Sequence, residues 1–314
     1  MTDLVAVGET MALLSSPRVG RLRDMRSLCL SAAGAESNVA IGIVRLGYRA
    51  SWIGRVGDDE FGELILAALR AEGVDASRAV TDPTAQTALM VKERRAPNVV
   101  RVSYYRRDQA GSRLRPEDLD EDLIAGARLL HLSGITLALS ASARAATRRA
   151  AQLARAAGVP VSFDFNYRSA LWGRAEAAEE LAAMAHLADI VFAGEEELAI
   201  LAADGPLAGA QRLSGGGERT VVVKRGGKGA LSVGEDGVHE APAPSVPVVD
   251  PVGAGDAFVA GYLAALLDGL DAAGRLAFGC STGAYAVTML GDWEGLPTRD
   301  DLELMQQPEG TTLR

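Results

Sequence analysis

The chain is poor in the residues that build metal centres and disulfide frameworks: two cysteines and three histidines in 314 residues, with aromatics at only 5%. Cys29 and Cys280 stand far apart and form neither a CxxC pair nor a metal-ligand spacing. That argues against a disulfide scaffold and a structural zinc site, and free thiols in a reducing cytoplasm are expected. Basic charge is also scarce, since 32 Lys and Arg face 41 Asp and Glu, for a formal net charge of -9 and a pI near 5.0. A general nucleic-acid or anionic-membrane binder needs a positive field, so both classes are disfavoured. An anionic ligand must instead be held by local cations. No apolar run reaches the length of a membrane span, and the start of the chain lacks the basic region and apolar core of a secretory signal.

What is present is enough hydrophobic material, 48% of residues, to bury a full core. Short β-rich runs at residues 4–7, 51–53, 129–132, 159–163, 190–192 and 220–223 alternate with helical patterns at 60–71, 140–157 and 175–187. Such alternation predicts βαβ units and an α/β fold whose mostly parallel sheet is covered on both faces. Two stretches break the rhythm. Residues 12–30 and 87–107 alternate β-formers with polar residues and carry turn signals at Ser16-Pro17 and Ala96-Pro97-Asn98. They are expected to form antiparallel strands outside the main sheet, a small β-flap within one domain covering residues 1–314.

The most informative segment runs Val248-Val249-Asp250-Pro251-Val252-Gly253-Ala254-Gly255-Asp256-Ala257-Phe258 into an apolar stretch ending at Leu270. A strand-like segment, a Gly-Ala-Gly turn and a long helix point several backbone N–H groups at one spot, where an anion such as phosphate can bind. Asp256 falls in the first turn of that helix. A carboxylate beside a phosphate site suits a group that accepts the proton of an attacking hydroxyl, which predicts a phosphoryl-transfer centre. The plainer reading of Asp256 is a helix-start carboxylate worth about 0.3–1 kcal/mol.

A second motif lies upstream: Ala33-Gly34-Ala35-Glu36-Ser37-Asn38-Val39-Ala40, continuing through Leu46-Gly47 to Ile53-Gly54-Arg55-Val56-Gly57-Asp58-Asp59-Glu60-Phe61-Gly62. In this order the two motifs resemble the ribokinase (PfkB-type) family of carbohydrate kinases across nearly the whole chain. Gly8-Glu9-Thr10, Tyr104-Tyr105-Arg106, the run Phe163 to Arg168 with Leu171-Trp172, and Gly291 to Pro297 are similar to the 2-keto-3-deoxygluconate kinase branch. The resemblance implies a ribokinase-like three-layer αβα domain with a β-lid at roughly residues 12–32 and 87–107. It also implies ATP as phosphoryl donor, Mg²⁺, often a monovalent cation such as K⁺ near the Asp250 motif, and homo-oligomers joined through the lid.

On this reading Asp256 is the general base, without any need for a raised pKa, and the amides of Gly253, Ala254 and Gly255 form an anion hole. The family motif places Gly34 and Asn38 at the sugar, Asn38 having a helix cap as its structural alternative. Arg106 and Arg168 argue for a sugar acid, because a guanidinium fork can grip a carboxylate with two charge-assisted bonds. A surface ion pair is the alternative for each. Tyr104 is expected against the sugar or as lid packing, and Asp292 at the substrate or as a turn aspartate. Nucleotide contacts are assigned to Asn166, to Lys224, Gly226, Gly227 and Gly229 of the Gly-rich turn, to Gly253 and Gly255, and to Cys280.

Three departures from the family pattern stand out. Gly194 replaces the Asn of an Asn-x-x-Glu motif whose Glu is Glu197, Pro251 replaces a Thr, and Cys280 stands where a nucleotide-side Asn is usual. Glu197 and Asp250 are the candidate metal-side carboxylates, Glu197 acting indirectly through metal-bound water. His131, at a strand end with no metal-like partner nearby, reads as structural. The expected activity is ATP-dependent phosphorylation of a sugar-acid hydroxyl, most directly 2-keto-3-deoxy-D-gluconate to its 6-phosphate. A neutral-sugar fructokinase or ribokinase and a non-catalytic sugar-binding regulator are the alternatives.

Overall fold

The computed structural model describes residues 2–96, 99–202 and 204–305. Its strands are, in chain order, β1 (Leu4–Val7), β2 (Met11–Ser15), β3 (Cys29–Ala33), β4 (Ala50–Ile53), β5 (Arg55–Gly57), β6 (Val80–Asp82), β7 (Leu89–Ala96), β8 (Val99–Tyr105), β9 (Leu129–Ser133), β10 (Val161–Asp164), β11 (Ile190–Gly194), β12 (Thr220–Lys224), β13 (Ala230–Gly234) and β14 (Gly237–Ala241). Eight of them form the main sheet in the order β14-β13-β12-β11-β10-β9-β1-β4. The six from β12 to β4 run parallel, and β13 and β14 fold back antiparallel at one edge.

The strand sequences are nearly continuous apolar runs because both faces of the sheet are buried. Leu4, Ala6, Trp52, Phe192 and Val222 pack into the core beneath the helices Ala35–Arg45, Ala254–Leu267 and Ala272–Ala286. Val5, Val7, Leu130, Phe163 and Val221 point the other way, into a second core beneath Ala141–Ala156 and Arg174–Ala185. Helix Ala254–Leu267 is apolar around most of its circumference because it is wedged between the Ala35–Arg45 and Ala272–Ala286 helices. Its first turn is therefore held by packing on several sides.

The helix expected at 140–157 is Ala141–Ala156, and a further short helix, Gly134–Leu139, precedes it where the sequence shows no separate signal. Ser140 ends one and caps the other, its Oγ accepting the Ala143 N–H at 3.1 Å.

The two stretches outside the α/β rhythm form a separate four-stranded sheet in the order β3-β2-β7-β8. The expectation of antiparallel pairing holds for its outer pairs, but the central β2–β7 pair is parallel. Alternation of apolar and polar residues is the same for either direction, so the pattern cannot distinguish them. The turn expected at Pro97 and Asn98 lies outside the described residues.

Candidate active site

The carboxyl ends of β1, β9, β10, β11 and β12 open on one side of the main sheet, where α/β folds bind ligands. Residues just beyond β9, β10, β11 and β12, the face of the small sheet and the head of helix Ala254–Leu267 enclose a cleft of about 890 Å³. That volume suits a pair of small-molecule substrates.

Gly253 caps the helix in a left-handed conformation, φ +79°, that glycine adopts without strain. A Cβ there would also collide with the Asp292 carbonyl oxygen. The amides of Gly253, Ala254 and Gly255 donate to no protein group among the described residues, so they remain open to an anion. Pro251 has no N–H, and the Val252 N–H is turned to Asp250 Oδ1 at 3.2 Å.

Asp256 sits one residue past this turn and lines the cleft. Burial pushes its carboxyl up to about 7, aided by the charges of Asp164 and Asp292 and opposed by Asn38 and Lys224. Asn38 Nδ2 donates to Asp256 Oδ2 at 2.8 Å, while Asn38 Oδ1 is buried with no partner. Asn38 is thus aimed at Asp256, leaving its carbonyl end for a hydroxyl. Gly34 precedes the same helix, packed so closely on the segment between β1 and β2 that a Cβ would strike the Glu9 carbonyl. Sequence reasoning saw no need for a raised Asp256 pKa. The shift comes chiefly from burial, with Asp164 and Asp292 adding to it, and both causes arise only in the fold.

The two arginines differ. Arg106 is buried in an ion pair with Glu9, and its guanidinium lies 5.3 Å from the Tyr104 ring centroid. Glu36, also buried, accepts hydroxyl bonds from Ser133 at 2.6 Å and Thr136 at 2.5 Å. Burial raises the pKa of both Glu9 and Glu36, with Arg106 as an opposing pull on each. Arg168 is exposed and lines the cleft, and its guanidinium makes no hydrogen bond or ion pair among the described residues. Tyr104, half exposed, and Asp292, buried, line the same cleft, and Asp292 is pushed up to about 6 by burial despite Lys92.

On the other side of Asp256, Lys224 at the end of β12 donates to Asp164 Oδ2 at 2.6 Å and borders Gly255. Burial alone would lower its pKa, but Asp164, Glu197 and Asp256 raise it above the ordinary lysine value, so it is a cation facing the anion turn. Gly226 and Asn166 line the cleft, whereas Gly227 and Gly229 lie in the turn behind it. Asn166 is left-handed at φ +40°, a conformation Asn tolerates better than most residues.

Glu197 borders the cleft but is spent on backbone: Oε1 accepts the Tyr167 N–H at 2.8 Å and Oε2 the Gly194 N–H at 2.7 Å. It holds the Asn166 loop against the β11 turn. Cys280 corrects an expectation, since it is buried in the core with Sγ facing the Ala241 carbonyl and does not line the cleft. Asp250 is another, since its carboxylate is taken by Lys92 at 2.7 Å and Arg94 at 3.5 Å. No cluster of three or more His, Cys, Asp or Glu able to hold a metal occurs among the described residues. His131 is buried on Ser162 Oγ at 3.0 Å, and burial drives its pKa down to about 3, so it stays neutral as a structural residue.

Sequence reasoning missed Glu36, Asp164 and Lys92. A signal existed for the last: Lys92 shares the period-2 face of Met90 on β7, where an inward apolar residue is the default.

Residues 1–299 match the family described as pfkB family carbohydrate kinase. A 2-dehydro-3-deoxygalactonokinase from Haloferax volcanii is 38% identical over 304 residues, covering 96% of this chain and 95% of that one. A 2-dehydro-3-deoxygluconokinase from Thermoproteus tenax is 38% identical over 309 residues, covering 96% and 94%. An E. coli protein solved in complex with ATP and Mg²⁺ superposes with a TM-score of 0.88 at 25% identity, covering 97% of this chain and 98% of that one. With the motifs, the ribokinase-like sheet and these matches in agreement, the chain belongs to the pfkB family of carbohydrate kinases.

Proposed function

We propose that this kinase transfers the γ-phosphoryl group of ATP to the terminal hydroxyl of a 2-keto-3-deoxy sugar acid, most directly 2-keto-3-deoxy-D-gluconate, giving the 6-phosphate. The observation that carries the sugar-acid reading is Arg168, an unpaired guanidinium in the cleft that holds Asp256. In an acidic protein a substrate carboxylate needs such a cation, and the planar fork supplies two parallel bonds to it. Tyr104, Asp292, Gly34 and the free Asn38 oxygen flank the space a sugar would occupy.

Asp256 then accepts the proton as the substrate oxygen forms its bond to the γ-phosphorus and the bond from that phosphorus to the ADP oxygen breaks. The amides of Gly253, Ala254 and Gly255 and the ammonium of Lys224 stabilise the charge on the transferred group. Gly226 and Asn166 fit the nucleotide side of the cleft. Mg²⁺ offsets phosphate charge when bound, and would be held chiefly by the nucleotide's phosphates and water, with Glu195, Glu196 and Glu197 on the nearby wall.

The small sheet serves as a lid that keeps water from the phosphoryl group. Exposed Leu30, Val99 and Tyr105 on its strands support pairing of two copies there. The two free cysteines suit a reducing cytoplasm, and no helix among the described residues is long and apolar enough to cross a membrane.

The test is an ADP-release assay with Mg²⁺ across 2-keto-3-deoxygluconate, its galactonate epimer, fructose and ribose, with Arg168→Ala alongside. The expected result is turnover of the keto-deoxy acids and a loss of kcat/KM in the variant of roughly 10–100-fold, the value of a charge-assisted bond pair. Turnover of fructose or ribose alone would transfer the reading to a neutral-sugar kinase. No ADP release from any sugar would favour the regulator.

A further inference from the structure

A charged residue on the small sheet reaches into the main domain and ends behind the anion turn. Lys92 stands on β7, and although it is a lysine its side chain is only 7% exposed. Burying an ammonium is costly unless oxygens replace its water. Here they do: Nζ donates to Asp250 Oδ2 at 2.7 Å and to the Gly291 carbonyl at 3.1 Å, and Arg94 approaches the same carboxylate oxygen at 3.5 Å.

These oxygens belong to the two backbone segments that shape the turn. The other oxygen of Asp250 holds the Val252 N–H at 3.2 Å, immediately before Gly253. Gly291 leads into Asp292, whose carbonyl lies where a side chain on Gly253 would stand. The ammonium therefore ties residues 250–252 to residues 291–292, and the Gly253 amide is positioned between them.

A monovalent cation near the Asp250 motif would perform this task, as a compact single positive charge ringed by carboxylate and carbonyl oxygens. The residues present do not fit one. The Asp250 carboxylate already receives Lys92 and Arg94, with a side-chain exposure of 1%, and a third cation would meet two like charges. We propose that the Lys92 ammonium is the built-in cation of this site, a positioning residue that sets the anion turn, so that the kinase needs no K⁺ or other added monovalent cation. Because Lys92 is carried by the small sheet, the same contact makes the shape of the turn depend on the seating of that sheet.

The inference rests on the turn being the phosphoryl site, and the experiment has two arms so that the two ideas fail separately. In the first, turnover of wild type and of Lys92→Ala is measured in potassium, ammonium and choline salts at equal ionic strength. Wild type is expected to vary by no more than about twofold. The variant is expected to lose roughly 10–100-fold in choline, the value of hydrogen bonds to a charged group, and to regain much of it in ammonium or potassium. In the second arm the melting temperature of the ligand-free proteins is compared in the same salts, which needs no turnover. Only the variant should be stabilised by ammonium or potassium over choline.

Activation of wild type several-fold by potassium would overturn the proposal, as would a variant that no small cation restores in either arm. If Lys92→Ala does not fold, Lys92→Gln, which keeps most of the volume without the charge, is put through both arms with the same expected outcomes. Absent turnover together with cation rescue of the variant's melting temperature would refute the phosphoryl reading and leave the built-in cation standing.

Discussion

Replacing Asn38 by Ala removes a single donor, and the structure makes the consequence pH-dependent. The carboxamide donates to Asp256 at 2.8 Å and favours the charged form of a carboxyl that burial pushes up to about 7. A hydrogen bond to a charged group is worth about 1.5–3 kcal/mol, and 1.36 kcal/mol corresponds to one pH unit, so its loss moves the titration midpoint upward by about one to two. At neutral pH the deprotonated fraction then falls from about one half to between about a tenth and a hundredth, a drop in kcat/KM of roughly 5–50-fold. Well above the new midpoint Asp256 is charged in both proteins and that loss disappears.

The assay is kcat/KM against pH for wild type and variant, where titration of ATP is common to both and cancels in the ratio. Any loss of sugar contact lowers the variant's curve by the same factor at every pH and leaves the displacement readable. An unchanged midpoint would refute the role of Asn38 in setting the base, and a midpoint displaced downward would refute the sign of the argument.

Three further outcomes follow from the same geometry. Asp256→Asn should be inactive yet more heat-stable than wild type, because a carboxyl whose folded pKa is raised costs stability as pH rises from its ordinary value towards about 7; the melting-temperature gain should be a few degrees near pH 8, about what 1 kcal/mol gives, and should vanish near pH 4. Arg106→Met leaves Glu9 buried without its cation and should destabilise by about 3–5 kcal/mol in a denaturant titration, less at acid pH where Glu9 takes a proton. Gly253→Ala must adopt φ +79° against the Asp292 carbonyl and should cut kcat by about 10²-fold or more while circular dichroism stays near wild type; kcat within a few-fold of wild type would remove the anion hole from the mechanism.

Much of the architecture is legible in sequence because it is local. Apolar runs of strand length alternating with helical patterns already imply a parallel sheet covered on both sides, and Gly-Ala-Gly before an apolar helix implies an anion turn with Asp256 beside it. These signals depend on backbone geometry and period, which act over a few residues. What each charged group faces depends on residues far apart in the chain. Arg106 and Arg168 look equivalent as sequence and both line the cleft, yet one is ion-paired with Glu9 and the other has no partner among the described residues.

Likewise Asp250 could read as a metal-side carboxylate until β7 brings Lys92 to it across 158 positions, and Glu197 as one acting through metal-bound water until its oxygens meet the amides of Gly194 and Tyr167. Cys280 aligns with a nucleotide contact but turns into the core. The sequence by itself determined the fold class, the Gly-Ala-Gly turn at the head of its helix and the carboxylate of Asp256 beside it, because sterics and hydrophobic period are encoded locally. Only the tertiary structure decided which charges are spent and which are free, since pairing and desolvation are properties of neighbours in space.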